Sequence, residues 1–260
     1  MLGEIEAGQA ILGIGGVGLG VAAARDLRHR AEFGPGGVLS WAVIGVSRAW
    51  PLRSLLAWER YRVVLVLQCV AGLAAPVAAV TTRAGAAALA CALAAAALLT
   101  LQRSGYGTDG SDQMFALGMV AAAVTLTLGG LYGRLFLAFL ATQLLLSYVI
   151  AGVAKLASST WRDGSCLAKI LTTASYGSPR VAALLAARPV LALALAWGVM
   201  VLESAFWLVV LVPRGLMWCL LAAAAAMHLG IACVMGLRTF LFAFVGAYPA
   251  LVFTIASVMG

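Results

Sequence analysis

Apolar residues in this chain fall in long unbroken runs, and short clusters of arginine and glycine separate the runs. Eight segments stand out: Ala7–Ala24, Tyr61–Val80, Ala84–Leu101, Gln113–Gly130, Leu135–Leu156, Val190–Val212, Gly215–Met235 and Thr239–Val258. Each is close to the roughly 20 apolar residues that a helix needs to cross a hydrocarbon layer about 30 Å thick. Inside lipid the backbone must satisfy its own hydrogen bonds, and the alternation expected of a β-barrel is absent. The pattern predicts an all-α, polytopic integral membrane bundle of about eight transmembrane helices. It forms a single transmembrane domain over residues 1–260, with no soluble domain expected at either end.

Two connections are long. Residues 25–60 contain Gly37–Val46, too short to span; with Trp41, Trp50 and Trp58 among arginines, it reads as an amphipathic helix in the interface. Ser165–Arg188 mixes apolar and basic residues and reads as a surface or re-entrant segment. The first residues carry Glu4 and Glu6 and no basic cluster, so the first apolar run is expected to stay as a membrane helix rather than leave as a signal peptide.

Composition supports this picture. The chain is 64% hydrophobic and 10% charged, which a soluble core-and-surface domain cannot accommodate. A net charge of +8 does not imply nucleic acid here, because the basic residues sit in connections, where they act as topology signals. Three of the 17 Lys and Arg residues (Arg83, Arg134, Arg214) fall on one side and the rest on the other. That bias predicts both termini outside and both long connections in the cytoplasm.

Cys69, Cys91, Cys166, Cys219 and Cys233 lie mostly inside apolar runs and form no CxxC or Cys/His spacing; they read as small buried hydrophobes, with no metal site implied. GIGGVG at Gly13–Gly18 matches a dinucleotide fingerprint, but no strand precedes it. Gly16 and Gly20, at GxxxG spacing, read instead as a helix-packing face.

Polar groups within the apolar runs are the candidates for chemistry, since they are costly to place in lipid. Glu203 lies in the sixth run, His228 in the seventh, Lys155 at the end of the fifth, and Asp112 and Gln113 open the fourth. At about 1.5 Å per residue, Glu203 lies about 15 Å from the turn at Pro213, and His228 about 15 Å from the opposite surface at Arg238. Lys155 and Asp112 belong to that second surface. One mouth is therefore expected to gather Asp112, Gln113, Lys155, Trp161 and Asp163, with His228 and Glu203 deeper.

Ordinary roles exist for each residue. Lys155 can snorkel as an anchor, His228 can bond a neighbouring helix, Asp112 can cap its helix, and Trp161 suits an interface. Glu203 can be protonated and structural. Taken as a site, the set offers proton-transfer chemistry: a lysine in partly dry surroundings as general base, with His228 and Glu203 relaying protons or orienting substrate.

The stretch SYVIAGVAKL…WRDG within Ser147–Gly164 resembles the vitamin K-dependent γ-carboxylase-like superfamily, also called HTTM (horizontally transferred transmembrane domain) proteins. Those proteins carry an aromatic residue, an Ala-Gly pair, a lysine and then Trp-x-x-Gly in this order. GSDQMF at Gly110–Phe115, LESAFW at Leu202–Trp207 and MHLGIACVMGLRTF at Met227–Phe240 are similar to the family's Gly-x-Asp, Glu-containing and His-containing helices.

The resemblance implies that Lys155 deprotonates a reduced quinone, such as vitamin K hydroquinone. It further implies that His228 and Glu203 act with Lys155, and that Asp112, Gln113, Tyr148, Trp161 and Asp163 bind substrate. Carboxylases continue into a β-rich domain that holds the substrate peptide, whereas this chain ends at Gly260. The compact bacterial sporulation-delaying protein B type is the nearer likeness. It implies a small secreted peptide, a soluble partner enzyme and the bacterial cytoplasmic membrane. In the carboxylases the site faces the lumen, whereas the charge bias here places the mouth inside. Two other functions fit the same residues. One is a non-catalytic membrane factor for maturation, export or immunity of a secreted peptide; the other is a DoxX-like quinone-interacting redox subunit.

Overall fold

A computed structural model describes residues 2–45, 53–103, 110–174 and 176–259. Among the described residues there is no strand, and eight long helices account for most of the chain. They are α1 (Glu4–Arg28), α2 (Trp58–Ala79), α3 (Arg83–Arg103), α4 (Gly110–Thr127), α5 (Gly130–Ala157), α6 (Pro189–Ala205), α7 (Arg214–Met235) and α8 (Arg238–Met259). A 3-10 turn, Phe206–Val210, extends α6. All but α4 are long and apolar enough to cross a membrane, giving seven such helices among the described residues. The fourth predicted run does form a helix, but its first turn, Gly110-Ser111-Asp112-Gln113, is polar and keeps it out of that set.

Surface chemistry agrees with a lipid environment. Along α2, Val63, Val66, Leu67, Val70, Leu73 and Val77 are all exposed and recur at helical spacing, so they line one face. An apolar stripe of that length is unfavourable in water and ordinary against acyl chains. The protein is an all-α polytopic integral membrane protein.

The helices divide into two compact units. The first comprises Met1–Leu140 and Phe242–Gly260; the second comprises Ala141–Leu241. In the first unit α1 is the central helix, with 56% of its apolar window buried. Glycine makes this possible. Gly16 and Gly20 face Gly72 and its neighbours on α2, so the predicted small-residue face is a backbone-to-backbone contact. Gly15 and Gly18 receive Met119 and Phe115 of α4, and Phe242 of α8 also packs on Gly18.

The connection between α1 and α2 differs from the predicted amphipathic helix over Gly37–Val46. Among its described residues only single turns form, at Arg30–Phe33, Trp41–Ile44 and Arg53–Leu56; Val46 and Trp50 lie outside the described residues. Gly34, Pro35, Gly36 and Gly37 interrupt the helix, and Gly36 adopts a left-handed φ of 86°. Trp41 and Trp58 pack against a core of Ala23, Leu56, Tyr61 and Leu65. Among the cysteines, Cys166 is buried and Cys69 half-buried, but Cys91, Cys219 and Cys233 are exposed on the outer faces of apolar helices. The expectation that all five are buried is corrected for those three.

In the second unit, Ser165–Arg188 forms two short helices, Ser165–Leu171 and Pro179–Ala187. Leu171, Ala182 and Leu185 pack with Ala192 at the start of α6 and with Val234 and Met235 at the end of α7. Their apolar faces account for the mixed sequence of this connection.

Candidate functional site

The second unit assembles its polar residues on the last turns of α5. That helix runs antiparallel to α6. Gly152 lies against the backbone and hydroxyl of Ser204, so close that a β-carbon would collide with both. This close approach sets the register that brings Lys155 to Glu203. Lys155 Nζ donates to Glu203 Oε2 at 2.7 Å, with side chains 22% and 9% exposed. The ammonium also sits 5.2 Å from the centre of the Trp161 ring, a cation–π distance.

Trp161 and Gly164 are held by α6. The Trp197 indole N–H donates to the Arg162 carbonyl at 3.2 Å, and Gly164, at φ 77°, lies against the backbone of Leu193. Only glycine meets both demands at position 164.

These contacts correct the depth count. Lys155 does not sit at the surface with Glu203 far below it. Helix α5 ends alongside the middle of α6, and the segment after it runs beside the first half of α6. Lys155 and Glu203 therefore lie at one level. The lysine is turned onto its carboxylate partner instead of snorkelling, and Glu203 is a paired carboxylate.

Two turns before Lys155 on the same face of α5, about 10.5 Å along the axis, stands Tyr148. Its hydroxyl shares a 2.8 Å hydrogen bond with His228 Nε2 of α7, and both side chains are buried. The Tyr148 ring stacks on Phe206 at 4.0 Å between centroids, and His228 meets it edge-on at 5.6 Å. One helix face thus carries the Lys155–Glu203 ion pair and the hydrogen-bonded Tyr148–His228 pair.

Asp163, Asp112 and Gln113 complete the predicted set. Asp163 is exposed, and its Oδ1 accepts the Ser165 N–H at 2.8 Å, capping the short helix that follows. That backbone bond, with the Ser165 side chain, holds the Asp163 carboxyl below the usual aspartate range. Asp112 and Gln113 belong to the first unit, where Gln113 is exposed and Asp112 lines a small cavity with Asp26 and Gln68.

Sequence reasoning missed Arg103, taken only as a topology charge. Its guanidinium is buried in the first unit and donates to the carbonyls of Leu56 at 2.7 Å, and of Phe33 and Leu39, each at 3.1 Å. It also stacks over the Tyr61 ring at 4.5 Å. An arginine ending an apolar run looks the same in sequence whether it faces headgroups or carbonyls.

Chemically, the second-unit cluster can move protons. Lysine, glutamate, tyrosine and histidine can all exchange protons with substrates. Comparison with protein-family models, with curated proteins and with solved structures finds no match. The fold and the site define a class: a polytopic all-α membrane protein with an ion pair held between two apolar helices.

Proposed function

We propose that this chain is a membrane-embedded enzyme of the γ-carboxylase-like class, with Lys155 as general base. It acts on a secreted peptide or lipid-soluble substrate in the bacterial cytoplasmic membrane. The observation that carries this reading is the Lys155–Glu203 pair, flanked by Trp161 and followed on the same helix face by Tyr148–His228. Charges between apolar helices are costly to maintain and mark proton or substrate pathways.

In the resting pair Lys155 donates to Glu203. A base needs a neutral amine, and the 2.7 Å bond gives the departing proton a direct route to Glu203 Oε2. The freed Nζ then forms an N–H bond with the substrate's acidic proton, and the electron pair of the broken bond stays on the substrate. The Tyr148–His228 hydrogen bond, two turns away and buried, holds α5 against α7. Trp161, beside the Lys155 ammonium, offers a flat apolar surface that fits an aromatic ring. A reduced quinone, when bound, would supply an acidic hydroxyl and four electrons for oxygen, two from its oxidation to the quinone level and two from the double bond that becomes the epoxide.

The test uses purified protein in lipid nanodiscs with a reduced naphthoquinone under oxygen, and products are read by mass spectrometry. The balanced reaction takes one quinol and one O2 to one quinone epoxide and one water. Wild type is expected to form the epoxide, and a folded Lys155→Ala variant is expected to form none. Epoxide production by that variant at the wild-type rate removes Lys155 from the role, and absence of turnover by wild type removes the quinone reading.

A further inference from the structure

The surface segment of the second unit carries charge that the chemistry above does not use. From Ser159 to Arg188 it holds four basic residues, Arg162, Lys169, Arg180 and Arg188, against one acidic residue, Asp163, a net charge of +3. All four basic residues are exposed. Two of them are engaged locally: Arg162 donates to the Leu156 carbonyl at 2.7 Å, and Lys169 donates to the Ser165 hydroxyl at 3.0 Å. The carboxylate of Asp163 is committed to the Ser165 N–H. The Arg180 and Arg188 side chains have no hydrogen bond, ion pair or ring contact among the described residues.

The place of these two arginines in the fold selects what they meet. Arg180 stands in the first turn of the short helix Pro179–Ala187, and Arg188 follows its last residue. Ala182 and Leu185 turn inward, onto Leu171, onto Ala192 at the start of α6 and onto Val234 and Met235 at the end of α7. The short helix is thereby fixed across the ends of two spanning helices. Its outward face carries Arg180 and, one turn on, Leu184, with Arg188 a further turn along. The two arginines stand about 12 Å apart along the axis. Leu184, between them, is 44% exposed. Val190, two residues past Arg188 and already in α6, is 80% exposed, and Leu191 beside it is exposed as well. Apolar positions of that kind on a spanning helix face acyl chains, so Arg188 lies where the chains give way to headgroups. Two guanidinium forks without counter-charge at that level, with a leucine between them, match an anionic phospholipid. A soluble anion would meet the charges alone and leave Leu184 against water.

We propose that Arg180, Leu184 and Arg188 form a binding site for anionic phospholipid on the second unit. The two arginines take the phosphodiester oxygens of the headgroups, and Leu184 enters the adjoining acyl layer.

The full-length protein in detergent micelles is titrated with phosphatidylglycerol or with phosphatidylcholine, and retained lipid is counted by native mass spectrometry. Both lipids carry a phosphodiester, but only the first has a net charge. Wild type is expected to retain phosphatidylglycerol saturably and in preference to phosphatidylcholine. An arginine near an anionic surface contributes about fivefold in affinity, so Arg180→Gln and Arg188→Gln are each expected to weaken phosphatidylglycerol binding about fivefold, and the double variant about 25-fold. Phosphatidylcholine retention is expected to stay the same in all three. Arg214→Gln, at the opposite end of α7, is the control and is expected to bind as wild type does. Because Arg180 and Arg188 bond nothing within the fold, the variants are expected to unfold at the wild-type temperature when no phosphatidylglycerol is present. Equal retention of the two lipids by wild type overturns the proposal, as does a double variant that holds phosphatidylglycerol as tightly as wild type. An equal loss in Arg214→Gln overturns the location. Displacement of phosphatidylglycerol by equimolar inorganic phosphate overturns the lipid and leaves a site for a soluble anion.

Discussion

Lys155 and Glu203, 48 residues apart in sequence, meet at 2.7 Å because Gly152 lets α5 approach the backbone of α6 at Ser204. A glycine that looks like a packing detail thus sets the geometry of an ion pair between two spanning helices. A structural role and the proposed chemical role are separated by variants that move one without the other.

Removing a single partner leaves a charge without its counter-charge between apolar helices. Lys155→Met or Glu203→Leu alone is expected to cost up to about 3 kcal/mol, the lower end for a buried pair because part of the Lys155 side chain is exposed. The double variant Lys155→Met/Glu203→Leu is expected to recover most of that loss while remaining inactive. Unfolding in mixed detergent micelles reads the first effect and turnover the second. An active double variant would separate the pair from catalysis altogether.

Gly152→Ala is expected to force α5 and α6 apart, since the new methyl meets the backbone of Ser204 instead of a movable side chain. Overpacking of this kind costs about 1–3 kcal/mol, and turnover should fall with it as Nζ and Oε2 separate. Gly198→Ala, on α6 in open space, is the control and is expected to be neutral or slightly stabilising. Equal behaviour of the two variants would show that the close approach does not set the pair.

The helices were legible because lipid imposes one rule on every span: a run of apolar residues near 20 long, bounded by charge or glycine. The Gly16–Gly20 face was legible for a similar reason, since small residues at that spacing have few other uses in a spanning helix. Lys155, Glu203, His228 and Tyr148 could be picked out as polar or aromatic exceptions. Their arrangement could not, because counting depth assumes that every helix ends at a membrane surface, and α5 ends beside the middle of α6. Carbonyl ligands leave no trace in sequence, which hid the role of Arg103.

Asp163 carries a pH dependence whose sign follows from its cap. The Ser165 N–H holds the folded carboxyl below its ordinary value of 3.8. The stabilisation is therefore present above 3.8 and is lost as pH falls through the lower folded value. Protection of the Ser165 amide against hydrogen exchange should fall in that acid window in wild type. Asp163→Asn retains an acceptor oxygen and should lose the pH dependence while keeping partial protection; Asp163→Ala should lose both. A wild-type profile flat through that window would mean the cap contributes nothing to the helix.

Arg103→Lys tests whether the connection between α1 and α2 is held by guanidinium geometry or by charge alone. The native side chain reaches three carbonyls, on Phe33, Leu39 and Leu56, and lies flat over Tyr61. A lysine keeps the charge but has neither the planar fork nor the stacking face, so it cannot satisfy acceptors spread over that span. Hydrogen bonds to a charged donor are worth about 1.5–3 kcal/mol each, and exchanging the guanidinium for a primary ammonium forfeits at least one. Turns at Arg30–Phe33 and Arg53–Leu56 would loosen while the spanning helices stay packed on their own glycine contacts. Limited proteolysis should therefore cut Arg103→Lys between residues 30 and 57 faster than wild type, with little change in bulk helicity. Unchanged cleavage would place the stability of this connection in its tryptophan core instead of in Arg103.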